Sequence, residues 1–307
     1  MKALKILIIV TLSFGVLGAE GLIKPIPEGI KVDMSKVKLG KKLFFDPILS
    51  ADGTISCATC HDLQNGGDDG LKFSFGIKGQ EGNINSPTVY NSVFNFRQFW
   101  DGRARDLKEQ AKGPIANPVE MGHSLQGAME VLQKSESYSV QFEEVYSDGI
   151  TQENIVDAIA EFEKALITPN APFDKYLKGD EEAVGSKVKK GYQLFVSKGC
   201  IICHHGVNVG GNLYNKFGIF QESNSSNLGR YNVTKREEDK YHFKVPSLRN
   251  IAQTAPYMHD GRSRTLKAAV LLMSQYQLGR KMKPEEIGMI VIFLESLSGT
   301  MPSIAKQ

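Results

Sequence analysis

The four cysteines of this chain occur as two copies of one short pattern. Segment 57–61 reads CATCH and segment 200–204 reads CIICH. Two cysteines three positions apart present both sulfurs to the vinyl groups of one porphyrin, and the adjacent histidine reaches the iron from one face. A disulfide pair or a zinc site is the alternative, but a histidine directly after each pair is not typical zinc-ligand spacing. The pattern predicts two covalent c-type haems, with thioethers to Cys57, Cys60, Cys200 and Cys203 and iron ligation by His61 and His204.

The first nineteen residues have the pattern of an export signal. Lys2 and Lys5 precede an apolar run, Ile6–Leu17, which ends near the small residue Ala19. The run is too short to span a bilayer comfortably, so we predict a cleaved signal peptide over residues 1–19 and no stable membrane anchor. Export agrees with haem attachment through cysteine, which most bacteria carry out outside the cytoplasm, and we therefore expect a periplasmic protein.

The charge and length of the remaining chain exclude some classes of protein. Removal of residues 1–19 takes away two lysines and no acids, which leaves 35 basic and 34 acidic residues. This balance gives no indication of a nucleic-acid partner and no preferred sign of charge for an electron donor. The length allows two domains, each with its own core around a haem.

The two haem motifs lie in two related halves. Gly40, Leu43 and Phe44 precede the first motif as Gly191, Leu194 and Phe195 precede the second, which indicates a helix leading into each haem site. After the motifs, eight residues recur at a displacement of 159: Pro87, Asn91, Asp101, Gly102, Arg103, Arg105, Leu107 and Lys108 recur as Pro246, Asn250, Asp260, Gly261, Arg262, Arg264, Leu266 and Lys267. The haem motifs are displaced by only 143, so the second half carries an insertion, which we place at Gly210–Lys240 as an exposed loop.

Apolar periodicity supports a mainly α fold. Helical spacing occurs at Gln152–Leu166, Thr265–Tyr276 and Pro284–Leu297, whereas strand signals are sparse and short. We predict two cytochrome-c-like helical domains, each around one covalent haem. The boundaries we assign are 20–168 for the N-terminal haem domain and 169–307 for the C-terminal haem domain.

The motifs, the repeat and three further blocks resemble the bacterial di-haem cytochrome c peroxidases. The blocks are the stretch 85–122, KVPSLRN at 244–250, and TAPYMHDGR with LLMSQYQLGR between 254 and 280. The resemblance implies reduction of hydrogen peroxide to water with electrons from a small soluble carrier, either a c-type cytochrome or a copper protein. It also implies electron entry at the C-terminal haem, peroxide reduction at the N-terminal haem, a homodimer and bound calcium.

The resemblance assigns axial ligands that the two halves do not share. Met273 matches the distal methionine of the C-terminal haem, although a lone methionine is more often a core residue. Its first-half equivalent is Pro114, which cannot bind iron. Many family members have a distal histidine on the N-terminal haem where this chain has Ile77. The isoleucine leaves that iron position open unless His123 closes it. A histidine without an assigned role is more often a surface or hydrogen-bonding residue.

Further residues match the peroxide site and the path between the haems. Glu120 matches the catalytic glutamate, and burial would raise its pKa and make it a usable acid. Gln110 matches the glutamine that positions peroxide and water, and Trp100 matches the tryptophan between the haems. Taken alone, Glu120 would be a surface charge and Trp100 a core aromatic residue.

Two further assignments concern a calcium site and the partners of the haem propionates. Asn85 matches a side-chain ligand of calcium, while Thr254 and Pro256 match positions that offer backbone oxygens. Four arginines in or next to the two DGR motifs could pair with haem propionates or form surface pairs: Arg103, Arg105, Arg262 and Arg264.

Two other functions use the same motifs. A non-catalytic di-haem electron carrier would have two six-coordinate irons, and the lack of a first-half ligand argues against it. A di-haem oxidase that modifies a partner protein shares the open first haem but has tyrosine in place of the distal methionine. Met273 therefore favours the peroxidase.

Overall fold

The computed structural model of the chain describes residues 21–306. The predicted signal peptide, residues 1–19, lies outside the described residues. Among the helices between residues 21 and 306, none combines the length and the apolar character that a membrane span requires.

The described chain consists of helices joined by long loops, as the mainly α prediction expected. The first half contains α1 (Met34–Phe45), α2 (Cys57–Cys60), α3 (Leu107–Ala116), α4 (Leu125–Gln133), α5 (Glu136–Val145) and α6 (Gln152–Lys164). The second half contains α7 (Pro172–Leu177), α8 (Ser186–Ser197), α9 (Tyr231–Thr234), α10 (Leu266–Tyr276) and α11 (Pro284–Glu295). Strands β1 (Tyr214–Lys216) and β2 (His242–Lys244) form one antiparallel ribbon with Tyr214 opposite Lys244. The helices predicted from periodicity are confirmed as α6, α10 and α11.

Each half is organised by one close crossing of two helices. α1 crosses α6 at Gly40, where an added Cβ would lie 1.8 Å from the carbonyl oxygen of Ala158. α8 crosses α11 at Gly191, where an added Cβ would lie 2.1 Å from the carbonyl oxygen of Met289. Only glycine permits this approach, since real Cβ atoms do not come so close to a carbonyl oxygen. The helices before the two haem motifs therefore have the same role, as the repeat predicted.

Each crossing is extended by an aromatic pair into a separate core. Phe44 meets Phe162 at 5.2 Å between ring centroids in the first half, and Phe195 meets Phe293 at 5.1 Å in the second. The first pair packs edge to face and the second is tilted, and both bury large apolar areas. All four are buried, so each half has its own hydrophobic core.

Both ends of the described chain cross to the other half. Ile23 packs in the core of the second half, and the backbone at Lys24 hydrogen-bonds to the carbonyl of Gly206. Ala305 packs in a core cluster of the first half. The domain boundaries stay a prediction. The structure adds that each end of the described chain packs on the opposite half.

The insertion after the second haem motif is only partly the exposed loop that the sequence predicted. β1 lies within Gly210–Lys240 and pairs with β2, and Phe217 is buried. Phe217 packs on the His259 ring at 5.4 Å, and the Ser225 hydroxyl lies 2.8 Å from His259 Nε2. These contacts draw a polar segment against the second half, which its composition did not indicate.

The two halves meet through a symmetric pair of backbone hydrogen bonds. The Asn85 N–H donates to the carbonyl of His259 at 2.8 Å, and the Lys244 N–H donates to the carbonyl of Trp100 at 2.7 Å. Asn85 and Lys244 are 159 positions apart, as are Trp100 and His259. The same segment of each half therefore contacts the opposite half, which places Trp100 at the junction.

Candidate haem sites and the junction between them

The local fold prepares both motif histidines to bind iron through Nε2. His61 Nδ1 lies 3.2 Å from the carbonyl oxygen of Gly67, and His204 Nδ1 lies 3.3 Å from that of Val209. A hydrogen bond from Nδ1–H to a carbonyl orients the ring and leaves Nε2 for a metal. Burial lowers the pKa of His61, and it lowers the pKa of His204 to about 4. Both shifts favour the neutral ring, which is the form that binds iron.

The four cysteines lie where two porphyrins would be attached. Cys57 and Cys60 begin and end α2, and none of the four cysteines forms a disulfide. Burial raises the pKa of Cys60 and of Cys200 to about 11, which reflects apolar surroundings. Within residues 21–306, no three His, Cys, Asp or Glu side chains converge as a metal site, so the zinc alternative has no ligand set.

A cavity at the second haem motif, which we call the second cavity, has the lining that a haem requires. Its volume is about 510 Å³, and Cys200, Cys203, His204 and Met273 all line it. The histidine follows a 3₁₀ turn after α8, whereas Met273 projects from α10, so the two come from separate elements. The residues present thus fit a covalent haem with one histidine and one methionine ligand.

The first half has a proline where the second half has this methionine. α3 and α10 are equivalent helices, capped by the side chains of Asp106 and Thr265, which are 159 positions apart. Pro114 lies inside α3 at the position that corresponds to Met273. Gln110 lies one turn earlier on α3, and its equivalent, Ala269, lines the second cavity. Gln110 and Pro114 therefore occupy the face of α3 that corresponds to the haem-facing side of α10.

Glu120 lies in the loop after α3, close to the first haem motif. Burial, and in smaller part the charge of Glu120, raises the pKa of both Cys57 and Cys60, which agrees with a position of this carboxyl near the first haem motif. Asn117 Nδ2 donates to Glu120 Oε1 at 2.6 Å. Burial raises the pKa of Glu120 above its ordinary value even though the Asn117 hydrogen bond lowers it. The expected shift toward a usable acid is therefore present.

Ile77 packs directly on the loop that carries Glu120. The Ile77 N–H donates to the carbonyl of Glu120 at 2.8 Å, and the side chain is 6% exposed. An added Cβ at Gly76 would lie 1.9 Å from the carbonyl oxygen of Val119, so this loop is held tightly. His123 Nδ1 accepts the backbone N–H of Ser124 at 3.0 Å, which engages this ring nitrogen at the start of α4.

Trp100 contacts the second half at the cavity wall. Its Nε1–H donates to the carbonyl of Asn85 at 2.9 Å, and its ring lies 6.2 Å from the His259 ring. Trp100 and His259 both line the second cavity. The tryptophan thus bridges segments of both halves.

The three residues assigned to calcium come from both halves of the chain. Asn85, Thr254 and Pro256 all line the second cavity. Asn85 is 5% exposed, and its Nδ2 donates to the carbonyl of Leu71 at 2.8 Å, which directs its side-chain oxygen elsewhere. Amide and backbone oxygens of this kind suit calcium.

Sequence reasoning missed two buried ionisable residues near the haem sites. Lys244 is 6% exposed and lines the second cavity, and Glu163 on α6 is 5% exposed with Oε2 unpartnered within the described chain. Burial, and after it the charge of Glu163, raises the pKa of Cys57, which agrees with a position of this carboxyl near the first haem motif. The repeat was the available signal, because Lys244 falls on the equivalent of Asn85.

Comparisons with known proteins cover both halves of the chain. A sequence model of the family described as "Di-haem cytochrome c peroxidase" matches residues 34–182, and one described as "Cytochrome c" matches residues 188–298. Cytochrome c peroxidase Ccp of Escherichia coli (strain K12) is 52% identical over 283 residues, which cover 90% of this chain and 61% of that protein. Cytochrome c551 peroxidase of Nitrosomonas europaea is 47% identical over 293 residues, which cover 94% of this chain and 88% of that protein. The chain thus spans less than two thirds of the first relative and most of the second.

A solved structure supports the fold. The crystal structure of a MauG-like protein associated with microbial copper homeostasis aligns with a TM-score of 0.80 at 24% identity, over 95% of this chain and 97% of that one. At this identity the similarity concerns the fold alone.

Proposed function

Because the chain belongs to the di-haem cytochrome c peroxidase family, we propose that it reduces hydrogen peroxide to water with electrons from a small soluble carrier. One peroxide, two protons and two electrons give two waters. Each haem, when bound, stores one electron, and the first also supplies the iron to which peroxide binds. We assign electron entry to the second haem and peroxide reduction to the first.

The observation that carries this assignment is the difference between Met273 and Pro114. The two residues occupy one position of the repeated fold, but only the methionine has a donor atom for iron. A histidine and methionine pair raises the reduction potential of a haem and leaves no position for substrate. The second haem is therefore suited to accept electrons, and the first keeps a position for peroxide.

We propose further that the first haem is open in the fully oxidised protein. Ile77 has no donor atom, and His123 Nδ1 is engaged by Ser124. The electron paramagnetic resonance spectrum of the oxidised protein should then show one high-spin and one low-spin ferric haem. A spectrum with two low-spin haems would mean that another side chain closes the site.

Glu120 is proposed as the group that moves the proton. Its carboxylate would take a proton from one oxygen of peroxide and return it to the other, so that the leaving oxygen departs as water. Gln110, on the equivalent of the haem-facing side of α10, would position peroxide and water by hydrogen bonds. Asn117 donates to Glu120 Oε1 and so orients the carboxyl.

The test is a Glu120→Gln variant of the protein with both haems bound. Loss of a positioned acid and base lowers a rate by about 10² to 10⁴-fold, so peroxide turnover with a reduced small cytochrome should fall by that factor. Glu136→Gln, at an exposed site on α5, is the matched control and should keep its rate. Turnover of Glu120→Gln within threefold of the unaltered protein, with normal haem spectra, would remove Glu120 from the mechanism.

Trp100 is proposed to couple the two haems. It lines the second cavity and bonds to the Asn85 carbonyl of the first half. A packed ring shortens the gap that an electron must cross without being oxidised itself. Trp100→Phe, which retains an aromatic ring but loses the hydrogen bond, should slow electron transfer between the haems in stopped-flow measurements while leaving their ligation unchanged.

Calcium is proposed to join the two halves through Asn85, Thr254 and Pro256. These residues come from both halves and lie at one cavity wall, so an ion bound there would restrain the junction. Metal analysis of the purified protein should find calcium. Its removal by a chelator should slow electron transfer between the haems, and calcium, but not sodium, should restore it.

The donor is proposed to bind at the mouth of the second cavity. Ile202 and Phe220 line that cavity and are 72% and 66% exposed. Such apolar side chains around a haem edge suit brief contact with a small c-type cytochrome or a copper protein. A homodimer and a periplasmic location after removal of residues 1–19 remain proposals, to be tested by light scattering and by N-terminal sequencing of the exported protein.

A further inference from the structure

Lys244 is a buried cation for which the described chain provides no anion. Its side chain lies inside the second half, and its ammonium forms no hydrogen bond or ion pair within 4.0 Å among residues 21–306. Asp68 also lines the cavity but does not pair with it. Burial lowers the pKa of Lys244 to about 8, with no acidic neighbour to oppose the effect. A buried charge is retained at such a position only when a counter-charge compensates it.

The location of Lys244 indicates what this counter-charge is. The side chain lines the cavity together with the haem-attachment residues and Met273. A porphyrin with two propionates brings carboxylates into this cavity, and an ammonium is a suitable partner for one of them. The backbone of Lys244 is held at the junction by its bond to the Trp100 carbonyl, so the residue marks the side of the cavity that faces the first half.

Three of the four arginines expected to bind propionates pair with carboxylates, and the fourth, Arg264, is exposed. Arg103 pairs with Asp101 at 3.1 Å, and Arg105 pairs with Glu109 at 3.0 Å. Arg262 donates from Nε to the Asp260 carboxylate at 2.7 Å. These local pairs leave Lys244 as the buried cation that faces the second cavity without a partner in the described chain.

We propose that the Lys244 ammonium pairs with a propionate carboxylate of the second haem and raises the reduction potential of that haem. Reduction lowers the positive charge at the iron, so a fixed cation nearby repels the reduced iron less than the oxidised iron and favours reduction. In the first half the equivalent position is Asn85, which carries no charge. Lys244 therefore adds to the difference in reduction potential between the haems that Met273 would create. As a result, the first electron would reside on the second haem.

The experiment is a spectroelectrochemical titration of the protein with both haems bound, without peroxide, so its result does not depend on the proposed reaction. Lys244→Met keeps the length of the side chain and removes its charge. The equilibrium constant for reduction of the second haem should fall by about tenfold or more, which corresponds to about 59 mV for a one-electron couple. Lys244→Arg keeps the charge and should remain within threefold of the unaltered protein. Lys216→Met, at an exposed lysine on the neighbouring strand β1, should do the same.

Each outcome decides the proposal. A reduction equilibrium of Lys244→Met within threefold of the unaltered protein overturns it, as does an equal shift in Lys244→Arg. If Lys244→Met does not hold the second haem, Lys244→Gln provides the same test. Loss of that haem from both neutral variants but not from Lys244→Arg supports a charge pair, whereas loss from all three indicates a packing role and overturns the proposal.

Discussion

The ion pair between Arg249 and Asp174 provides a sharp test of how the second half is held together. Both side chains are fully buried, with 0% exposure, and Arg249 Nη1 donates to Asp174 Oδ1 at 2.6 Å. The same guanidinium donates to the carbonyls of Val207 and Lys24 at 2.9 and 2.8 Å. This one guanidinium therefore joins three segments, namely the start of the described chain, α7 and the loop after the second haem motif.

Asp174→Asn removes the anion and leaves this buried guanidinium uncompensated. Breaking a buried pair in this way lowers the free energy of unfolding by about 3–5 kcal/mol. Urea unfolding of the haem-bound protein, followed by the absorption of the second haem, measures the change for the second half. The surface pair between Lys178 and Glu28 is the control, because Glu28 is 73% exposed and Glu28→Gln should change stability by less than about 1 kcal/mol.

A double variant separates the charge from the packing. Asp174→Leu with Arg249→Met replaces the pair by apolar side chains and should recover most of the lost stability, since buried pairs are often no more stabilising than apolar substitutes. The reasoning is refuted if Asp174→Asn stays within about 1 kcal/mol of the unaltered protein.

Three further perturbations test packing, proton binding and ligation. Gly191→Ala would press a methyl group against the Met289 carbonyl and should destabilise the second half by about 1–3 kcal/mol. A Cβ added at Gly288 would have no heavy atom within 4 Å, so Gly288→Ala should stabilise α11 by about 0.5–1 kcal/mol in thermal unfolding. Burial raises the pKa of Glu163 from 4.5 to about 8. Between these values the folded protein keeps a proton that the unfolded chain releases, so the free energy of unfolding falls as pH rises. In urea titrations between pH 5 and 8, Glu163→Gln should show a weaker dependence of this free energy on pH. Pro114→Met offers the first haem a thioether ligand and should convert it to a low-spin form and abolish peroxide turnover; a persistent high-spin signal would contradict the proposed alignment of α3 with α10.

Much of the fold followed from the sequence because its constraints are local or repeated. The spacing of Cys57, Cys60 and His61 and its second copy indicated two haems, and the comparisons confirm the di-haem cytochrome c peroxidase family and a cytochrome-c-like architecture. Helices α6, α10 and α11 were recognised because their apolar residues recur at helical spacing. Gly40 was recognised as a repeat element, although only the structure shows that it permits the crossing with α6.

The rest depended on contacts that no spacing rule contains. Lys244 and Glu163 look like surface charges in the sequence, and their burial arises from elements distant along the chain. Phe217 lies in a polar insertion, yet it is drawn inward by the His259 ring. The packing of Ile23 on the opposite half likewise requires the folded arrangement of both domains, since nothing in its neighbours distinguishes it from an exposed linker residue.

The duplicated fold explains how one architecture can hold two unlike haems. The backbone is shared, including the crossed bonds that Asn85 and Lys244 make to the opposite half, so the difference between the sites must come from side chains at equivalent positions. In the proposed assignment Met273 closes one iron where Pro114 leaves the other open, and Lys244 places a charge where Asn85 places an amide. At a third such position Trp100 faces His259 across the junction. Because the substitutions lie on residues that line the second cavity or meet at the junction, each changes the potential, the access or the coupling of a haem without requiring a different fold.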